Sequence, residues 1–430
     1  MLTVREALSR CLTTVPSVRT ERVSLGLALG RVLAGNVVSQ TSLPPWDNSA
    51  MDGFAVRTAD TMGGREETQE VDACFTDSEP GEQGPWLEVI EVIAAGSVPT
   101  RPLSSGQAAR IMTGAPVPAG CDAVVMQEHT TSMDGRVQIQ QEARAGQHIR
   151  REGENLRAGA LAVSKGTVLN PGHLGLCASV GQSTLEVARQ PRVGIVSTGD
   201  ELIRAGQALG PGQIYASNSA TLAALVTMAG GIPVDCGIAP DNLEATRKAF
   251  QRAAECDLIL STGGVSVGDF DLVLNAMESL GATMEFWKVR MKPGKPLALG
   301  VIAGTPAFGL PGNPVSSHVG FLQFVRPWLR TALGDPNPFL PVVKARLEFP
   351  FRKRAGRVEL VRVHVVLTDS GWLAKDTGSQ SSGSPSSMAS SNGLLLAEEG
   401  ALDLPVGTLV CVQLIQGNMM GIANPGYPWQ

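Results

Sequence analysis

Apolar positions recur at helical spacing in TVREALSRCL (residues 3–12), which predicts an amphipathic helix near the start of the chain. Helical periodicity extends over residues 1–40 and stops at a polar, proline-rich break, SLPPWDNSAMDG. From about residue 54 to 150 the period changes to short β-like runs, LEVIEVIAAG, AARIMTG, DAVVMQE and RVQIQQEA, separated by turn residues. A small all-β domain (41–150) is predicted there. Residues 151–188 are mixed, with a helix expected in PGHLGLCASVG. Packed together, 1–40 and 151–188 would form one discontinuous helical or mixed domain, with the β domain inserted in it.

From Arg192 strands and helices alternate. RVGIVSTG, IPVDCGIA, DLILSTGG, PLALGVI and TPAFGL read as strands; SATLAALVTMAGG, DNLEATRKAFQRAAE and FDLVLNAMESLG read as helices. VSSHVGFLQFVRPWLRTAL predicts a long closing helix, and Asp241 and Glu244 have the spacing of a capping-box variant. Such alternation predicts an α/β domain (189–335) with a mainly parallel sheet, whose ligands bind beyond the carboxyl ends of the strands. β-like runs return over 336–417, predicting a barrel or sandwich. Composition alone would make the serine-rich GSQSSGSPSSMASSNG between two of those runs a flexible linker.

Composition narrows the class. At 430 residues the chain suggests roughly three domains, and 43% hydrophobic residues support buried cores. A net charge of −5 argues against a nucleic-acid binder, so any anion site must be a local concentration of cations. Seven cysteines form no CxxC pair, and five scattered histidines have no metal-ligand spacing. There is no secretory h-region and no apolar run of about 18 residues. A cytoplasmic protein without a membrane span is expected.

Candidate chemistry clusters at strand ends. STGDEL supplies Asp200 and Glu201; STGGVSVGDFD supplies Gly263, Gly264, Ser266, Asp269 and Asp271; LPGNPVSS leads into a helix. Small residues there let backbone N–H groups approach an anion. Each loop alone could be an ordinary turn; three on one sheet edge are harder to dismiss. Lys288, Arg290, Lys292 and Lys295 crowd the proline-stiffened WKVRMKPGKP, which suits a phosphate or other tetrahedral oxyanion and equally a solvated basic edge. Glu201, Asp241, Asp269 and Asp271 should converge, as hard-cation binding requires, although Asp241 is also well placed as an N-cap. In the first β region Asp47, Asn48, Ser49, Asp52 and Thr113 would, taken alone, be turn residues. No Ser–His–Asp or Cys–His arrangement is visible, so covalent catalysis is not preferred.

In order along the chain, LPPWDNSAMDGFAVR, RIMTGAPVPAGCDAVVMQE, REGEN, VSTGDEL, STGGVSVGDFD, WKVRMKPGKPLALG and LPGNPVSS together resemble the molybdopterin molybdenumtransferase family, meaning bacterial MoeA and the E domains of gephyrin and plant Cnx. The resemblance implies a multidomain α/β plus β, elongated subunit. Its parts would be a central molybdopterin-binding α/β domain, an inserted small β domain and a C-terminal β-barrel. It implies a homodimer in which the inserted domain of one subunit, with Asp52 and Thr113, faces the cleft of the other. It implies a molybdenum insertase that takes adenylylated molybdopterin and molybdate, releases AMP and uses magnesium, with handover from a molybdopterin adenylyltransferase.

By motif position the family assigns Asp52, Thr113, Glu201, Asp241, Ser266, Asp271, Lys288 and Lys292 to catalysis, and Glu201, Asp241 and Asp271 to the metal. Gly263, Gly264, Ser266, Lys288, Pro296 and Ser316 fall to substrate and phosphate. Lys292, Lys295, Arg362 and Ser382 fall to molybdate, which turns the serine-rich segment from linker to ligand loop. The sequence departs from the family at Asn155 in REGEN, where many members carry an aspartate; it cannot serve as a base. Residues 418–430 match no family feature and are expected to be a tail. Two alternatives stay open: a gephyrin-type scaffold binding a receptor loop, and adenylylation of molybdopterin itself. Against the latter, the inserted β domain and C-terminal barrel belong to the insertase.

Overall fold

The computed structural model describes residues 1–61, 84–264, 272–400 and 402–415. Ser266, Asp269, Asp271 and the tail expected at 418–430 therefore lie outside the described residues. Among the described residues no helix is long and apolar enough to cross a membrane.

The central sheet has six strands in the order 232–239, 192–198, 258–262, 305–310, 298–302, 283–287. The first four are parallel, and Ala298–Ile302 runs antiparallel to both its neighbours. Near-continuous apolar runs mark the strands Arg192–Thr198 and Leu258–Thr262, which are covered on both faces, as a parallel sheet requires. Helices Ser217–Met228, Leu243–Ala253 and Leu272–Ser279 connect these strands. Leu243–Ala253 is capped by Asn242, whose side chain accepts from the Ala245 N–H at 2.8 Å. The expected capping role of Asp241 is thus taken by its neighbour. The closing helix is not one regular element. Pro314–Gly320 and Arg326–Ala332 flank a π-helical turn, Phe321–Val325, which ends two residues before Pro327. Proline lacks an N–H and crowds the preceding turn, and a wider turn removes that conflict.

Of the helical stretch expected over 1–40, only Val4–Thr13 is α-helical, opened by a Thr3–Glu6 capping box. It buries Ala7 and Cys11 in the core of the α/β domain and does not join residues 151–188. Thr14 at its end accepts the indole N–H of fully buried Trp328 at 3.0 Å. The rest of that stretch contributes strands. Thr20–Ser24 pairs with Thr184–Ala188, and Val37–Val38 with Leu161–Val163, around a core that includes Leu33, Leu169 and Cys177.

Between them the chain leaves for the inserted β domain. Its six strands are ordered 123–126, 53–56, 107–111, 86–93, 136–139, 130–133. At the C-terminus, strands 358–368, 371–376, 342–347, 409–414 and 393–397 pair in turn, and the last returns to the first. The barrel is closed, which removes its sheet edges. Its first strand also takes on Met291–Lys292 from the α/β domain, in parallel register with Val358 and Glu359.

Candidate active site at the carboxyl edge of the central sheet

Three parallel strands end side by side, and the loops after them wall one cleft of about 980 Å³. Gly199 and Glu201 come from the first loop, Gly263 and Gly264 from the second, and Gly312 and Asn313 from the third. Asp241 enters from the edge strand, and Pro296, Gly383 and Pro385 close the far side. The structure thus gathers Glu201, Asp241, Gly263, Gly264 and Pro296 at one place.

The glycines are there for backbone reasons. Gly263 and Gly264 have φ of +99° and +64°, where a side chain is strained. A Cβ on Gly263 would lie 2.6 Å from the Thr198 carbonyl oxygen, and one on Gly264 would lie 2.8 Å from Val273. The loop therefore passes close to the neighbouring strand end, and the Gly263 N–H donates to the Leu310 carbonyl at 3.2 Å, tying it to the third strand. Thr198, 4% exposed at that strand end, keeps a buried hydroxyl without a partner among the described residues. Asn218, at the head of helix Ser217–Met228, uses its amide to join two loops. It donates to Thr262 Oγ1 at 2.8 Å and to the Gly312 carbonyl at 2.7 Å. No sequence motif marks this residue; its only signal is an amide just inside a helix that starts beside the cleft.

The carboxylates are held by one another's backbone. The Asp241 N–H donates to Asp200 Oδ1 at 3.0 Å, and the Asp200 N–H to Asp241 Oδ2 at 3.4 Å. Two strand-end loops are pinned together, with Asp241 and Glu201 exposed along the cleft. The described residues contain no group of three or more potential metal-ligating side chains.

Arg362 is 2% exposed. Its guanidinium donates to the carbonyls of Ser379 and Ser381, both at 3.1 Å, and to Ser387 Oγ at 3.2 Å. Gln380 closes the arrangement, its Oε1 accepting from the Arg362 N–H and its Nε2 donating to the Arg362 carbonyl. Among the described residues no carboxylate pairs with Arg362. Burial pushes its pKa down. The segment that composition made a linker is therefore an ordered loop with a short helix, Pro385–Ala389. The Ser382 carbonyl accepts from the Val315 N–H at 3.1 Å, which docks the loop on the cleft wall. Ser316 lies one residue further on and is buried, 4% exposed.

Lys288, Lys292 and Lys295 are not among the residues lining the cleft, although Lys295 adjoins Pro296, which is. The Lys288 ammonium sits over the Trp287 ring, 3.5 Å from its centroid. Lys292 Nζ pairs with Glu359 at 3.2 Å, and Lys295 lines a smaller pocket beside the barrel. Asp52 and Thr113 come together in the inserted domain, away from the residues lining the cleft of their own chain. The Asp52 Oδ1 accepts from the Thr113 N–H and from its hydroxyl, both at 2.7 Å. Asn155 is exposed, its N–H donating to the Leu43 carbonyl.

Comparison with known proteins fits this arrangement domain by domain. Residues 2–181 match the MoeA N-terminal region (domain I and II), residues 194–331 a probable molybdopterin binding domain, and residues 344–415 the MoeA C-terminal region (domain IV). The molybdopterin molybdenumtransferase 2 of Mycobacterium tuberculosis is 40% identical over 396 residues, covering 90% of this chain and 93% of that protein. The molybdopterin molybdenumtransferase of Haemophilus influenzae is 34% identical over 422 residues, covering 96% and 98%. Among solved structures, a molybdopterin biosynthesis MoeA protein from Pyrococcus horikoshii superposes with a TM-score of 0.81 at 31% identity, covering 97% of this chain and all of that one. With its domains in the same order and nearly its full length matched, the chain belongs to the molybdopterin molybdenumtransferase family.

Proposed function

We propose that this protein is a molybdenum insertase: it takes adenylylated molybdopterin and molybdate, releases AMP and delivers molybdenum to the dithiolene. One observation carries the reading. The cleft joins close-packed glycine loops and two carboxylates to a loop organised by a buried arginine that lacks a carboxylate partner among the described residues. Neutral turns suit the phosphates of the adenylate, and an unneutralised buried guanidinium suits a tetrahedral dianion.

In this reading the backbone around Gly263 and Gly264 receives the phosphates, with Ser266 and Ser316 beside them and Pro296 shaping the wall. Lys292 and Lys295, with Arg362 and Ser382, orient molybdate, and Lys288 compensates charge on the departing phosphate. Glu201 and Asp241 reach the cleft from separate strands, and Asp271 would join them. Carboxylate oxygens of this kind would hold magnesium, a hard cation, beside the phosphates. When bound, magnesium would neutralise charge developing on the phosphates during cleavage. The protein's own contribution is positioning and fixed charge, with no covalent enzyme intermediate. Water attacks the pyrophosphate bond and AMP leaves; the dithiol then binds molybdate through both sulfurs, its two protons departing with one oxo group as water.

The reading includes a homodimer in which Asp52 and Thr113 complete the partner's cleft, and handover of substrate from a molybdopterin adenylyltransferase. Six cysteines among the described residues are unpaired, which suits a reducing compartment, and cytoplasmic action is part of the proposal. The experiment supplies purified protein with adenylylated molybdopterin, magnesium and molybdate, then measures AMP and reconstitution of an apo-molybdoenzyme. Both products are expected. Substrate binding without either product would reject the insertase.

A further inference from the structure

Among the described residues lining the cleft, Tyr215 is the only aromatic one. A partly exposed tyrosine is ordinary, but this one is 42% exposed while held at both its tip and its backbone. Its hydroxyl donates to the Gln207 carbonyl at 2.9 Å, so the polar tip is satisfied within the preceding loop. Its backbone lies in the short strand Ile214–Tyr215, parallel to Leu202–Ile203. The Ile214 N–H donates to the Glu201 carbonyl at 2.8 Å, and the Ala216 N–H to the Ile203 carbonyl at 2.9 Å. Helix Ser217–Met228 follows at once, with Asn218 tied to the second and third loops. A ring anchored in this way loses little further freedom when something packs on it. Leu202 and Ile214 line the cleft as well, so this stretch of wall is apolar where Glu201, Asp241 and the glycine loops are polar.

Strand order places that wall. Arg192–Thr198 comes first, and the loop after it leads into Leu202–Ile203, to which the strand of Tyr215 is paired. Leu258–Thr262 is next and ends at Gly263 and Gly264. Thr305–Leu310 follows, and its loop leads to Val315, where the serine loop docks. The glycine turn is thus flanked by Tyr215 on one side and by the loop of Arg362 on the other. Adenylylated molybdopterin has its parts in a matching order: adenosine, pyrophosphate, then the pterin with its dithiolene. With phosphates at the glycines and molybdate at the Arg362 loop, the base falls on the side of Tyr215.

We propose that Tyr215 is the stacking platform for the adenine base, the residue through which the cleft distinguishes an adenylate from a bare phosphate ester. The identity of the substrate rests on the insertase reading. A nucleobase presents a flat π face that an aromatic ring covers without hydrogen bonds, and such stacking raises affinity by between about fivefold and about a hundredfold. The base is remote from the bond that breaks, so the ring contributes the same contact before and during cleavage. Its loss therefore raises KM and leaves kcat in place.

The test compares AMP with ribose phosphate, which lacks the base, by titration calorimetry on the full chain. Wild type should bind AMP about fivefold more tightly or better. Tyr215→Leu keeps apolar bulk without an aromatic face and should erase that difference; an unchanged affinity for ribose phosphate shows that its cleft is folded. Tyr215→Phe should retain the preference. With adenylylated molybdopterin, Tyr215→Leu should raise KM by the factor lost for AMP and hold kcat. Equal affinities for AMP and ribose phosphate in a wild type that releases AMP overturn the platform alone. Equal losses in Tyr215→Phe and Tyr215→Leu assign the effect to the hydroxyl and also overturn it. If Tyr215→Leu weakens binding of free hydroxymethylpterin and leaves AMP untouched, the ring serves the other heterocycle and the adenine assignment fails. A preference for AMP that depends on Tyr215, without AMP release from the adenylylated substrate, sustains the platform and rejects the insertase.

Discussion

Asp52 sits on an exposed loop, yet its charge state is fixed by its neighbours. The Thr113 N–H donates to its carboxylate, the Thr113 hydroxyl donates to the same oxygen, and Arg110 lies nearby; together they hold its pKa below the ordinary aspartate value. A depressed carboxylate pKa means that the folded state favours the ionised form. That preference is present above the unfolded pKa and lost as pH falls through the folded one. Thr113→Val removes the hydroxyl and keeps the N–H, so Asp52 should titrate closer to the ordinary value while remaining below it. A carboxyl-carbon NMR titration reads this directly, and an unmoved midpoint would dissociate Thr113 from the charge of Asp52.

At the scale of the element, neighbouring residues at one helix start divide structure from chemistry. Asn242 caps Leu243–Ala253, so Asn242→Ala should cost about 1 kcal/mol of stability and leave the cleft carboxylates in place. Asp241→Ala should do the reverse, abolishing AMP release with little change in the denaturation midpoint. Equal destabilisation by both would return Asp241 to a capping role. A second test lies in the helix after Pro314, where burial lowers the pKa of His318 from 6.5 to about 4. The unfolded chain then takes up the proton first as pH falls, so stability contributed at neutral pH is lost between pH 6.5 and about 4. The full effect is on the order of 3 kcal/mol, and His318→Asn should flatten that slope in denaturant melts at several pH values. Elements with strong periodicity were legible in the sequence: the apolar strands Arg192–Thr198 and Leu258–Thr262 and the alternating strands of the barrel. The strand Thr283–Trp287 was not, because its residues are only partly covered at the sheet edge and carry weak alternation. Nor was the role of the serine loop, which depends on Arg362 reaching back from a distant strand. Glu201 and the glycine pair could be read from their motifs. Asn218 acts through two contacts that exist only once the loops are folded side by side.

For the whole molecule the question is whether Asp52 and Thr113 serve a cleft at all, and whose. They belong to a domain inserted between Val38 and Leu161, the strands that pair at its base, and they do not line the cleft of their own chain. The proposed homodimer resolves this by sharing each site between two subunits. Symmetry then makes a quantitative demand, because a two-fold dimer holds two such shared sites. Asp52→Ala chains lack the inserted-domain half of each site, and Glu201→Ala chains lack the cleft half. Either variant alone should be inactive. In a mixed dimer one site combines both lesions and the other combines both intact halves. Co-expression in equal amounts, with random assortment, should therefore recover about a quarter of wild-type AMP release. Tandem purification of the mixed dimer through two different tags should raise that to about a half. If the isolated mixed dimer stays inactive while wild-type dimers carrying the same tags work, each site is contained in one chain. Asp52 and Thr113 would then have to reach their own cleft by movement of the inserted domain.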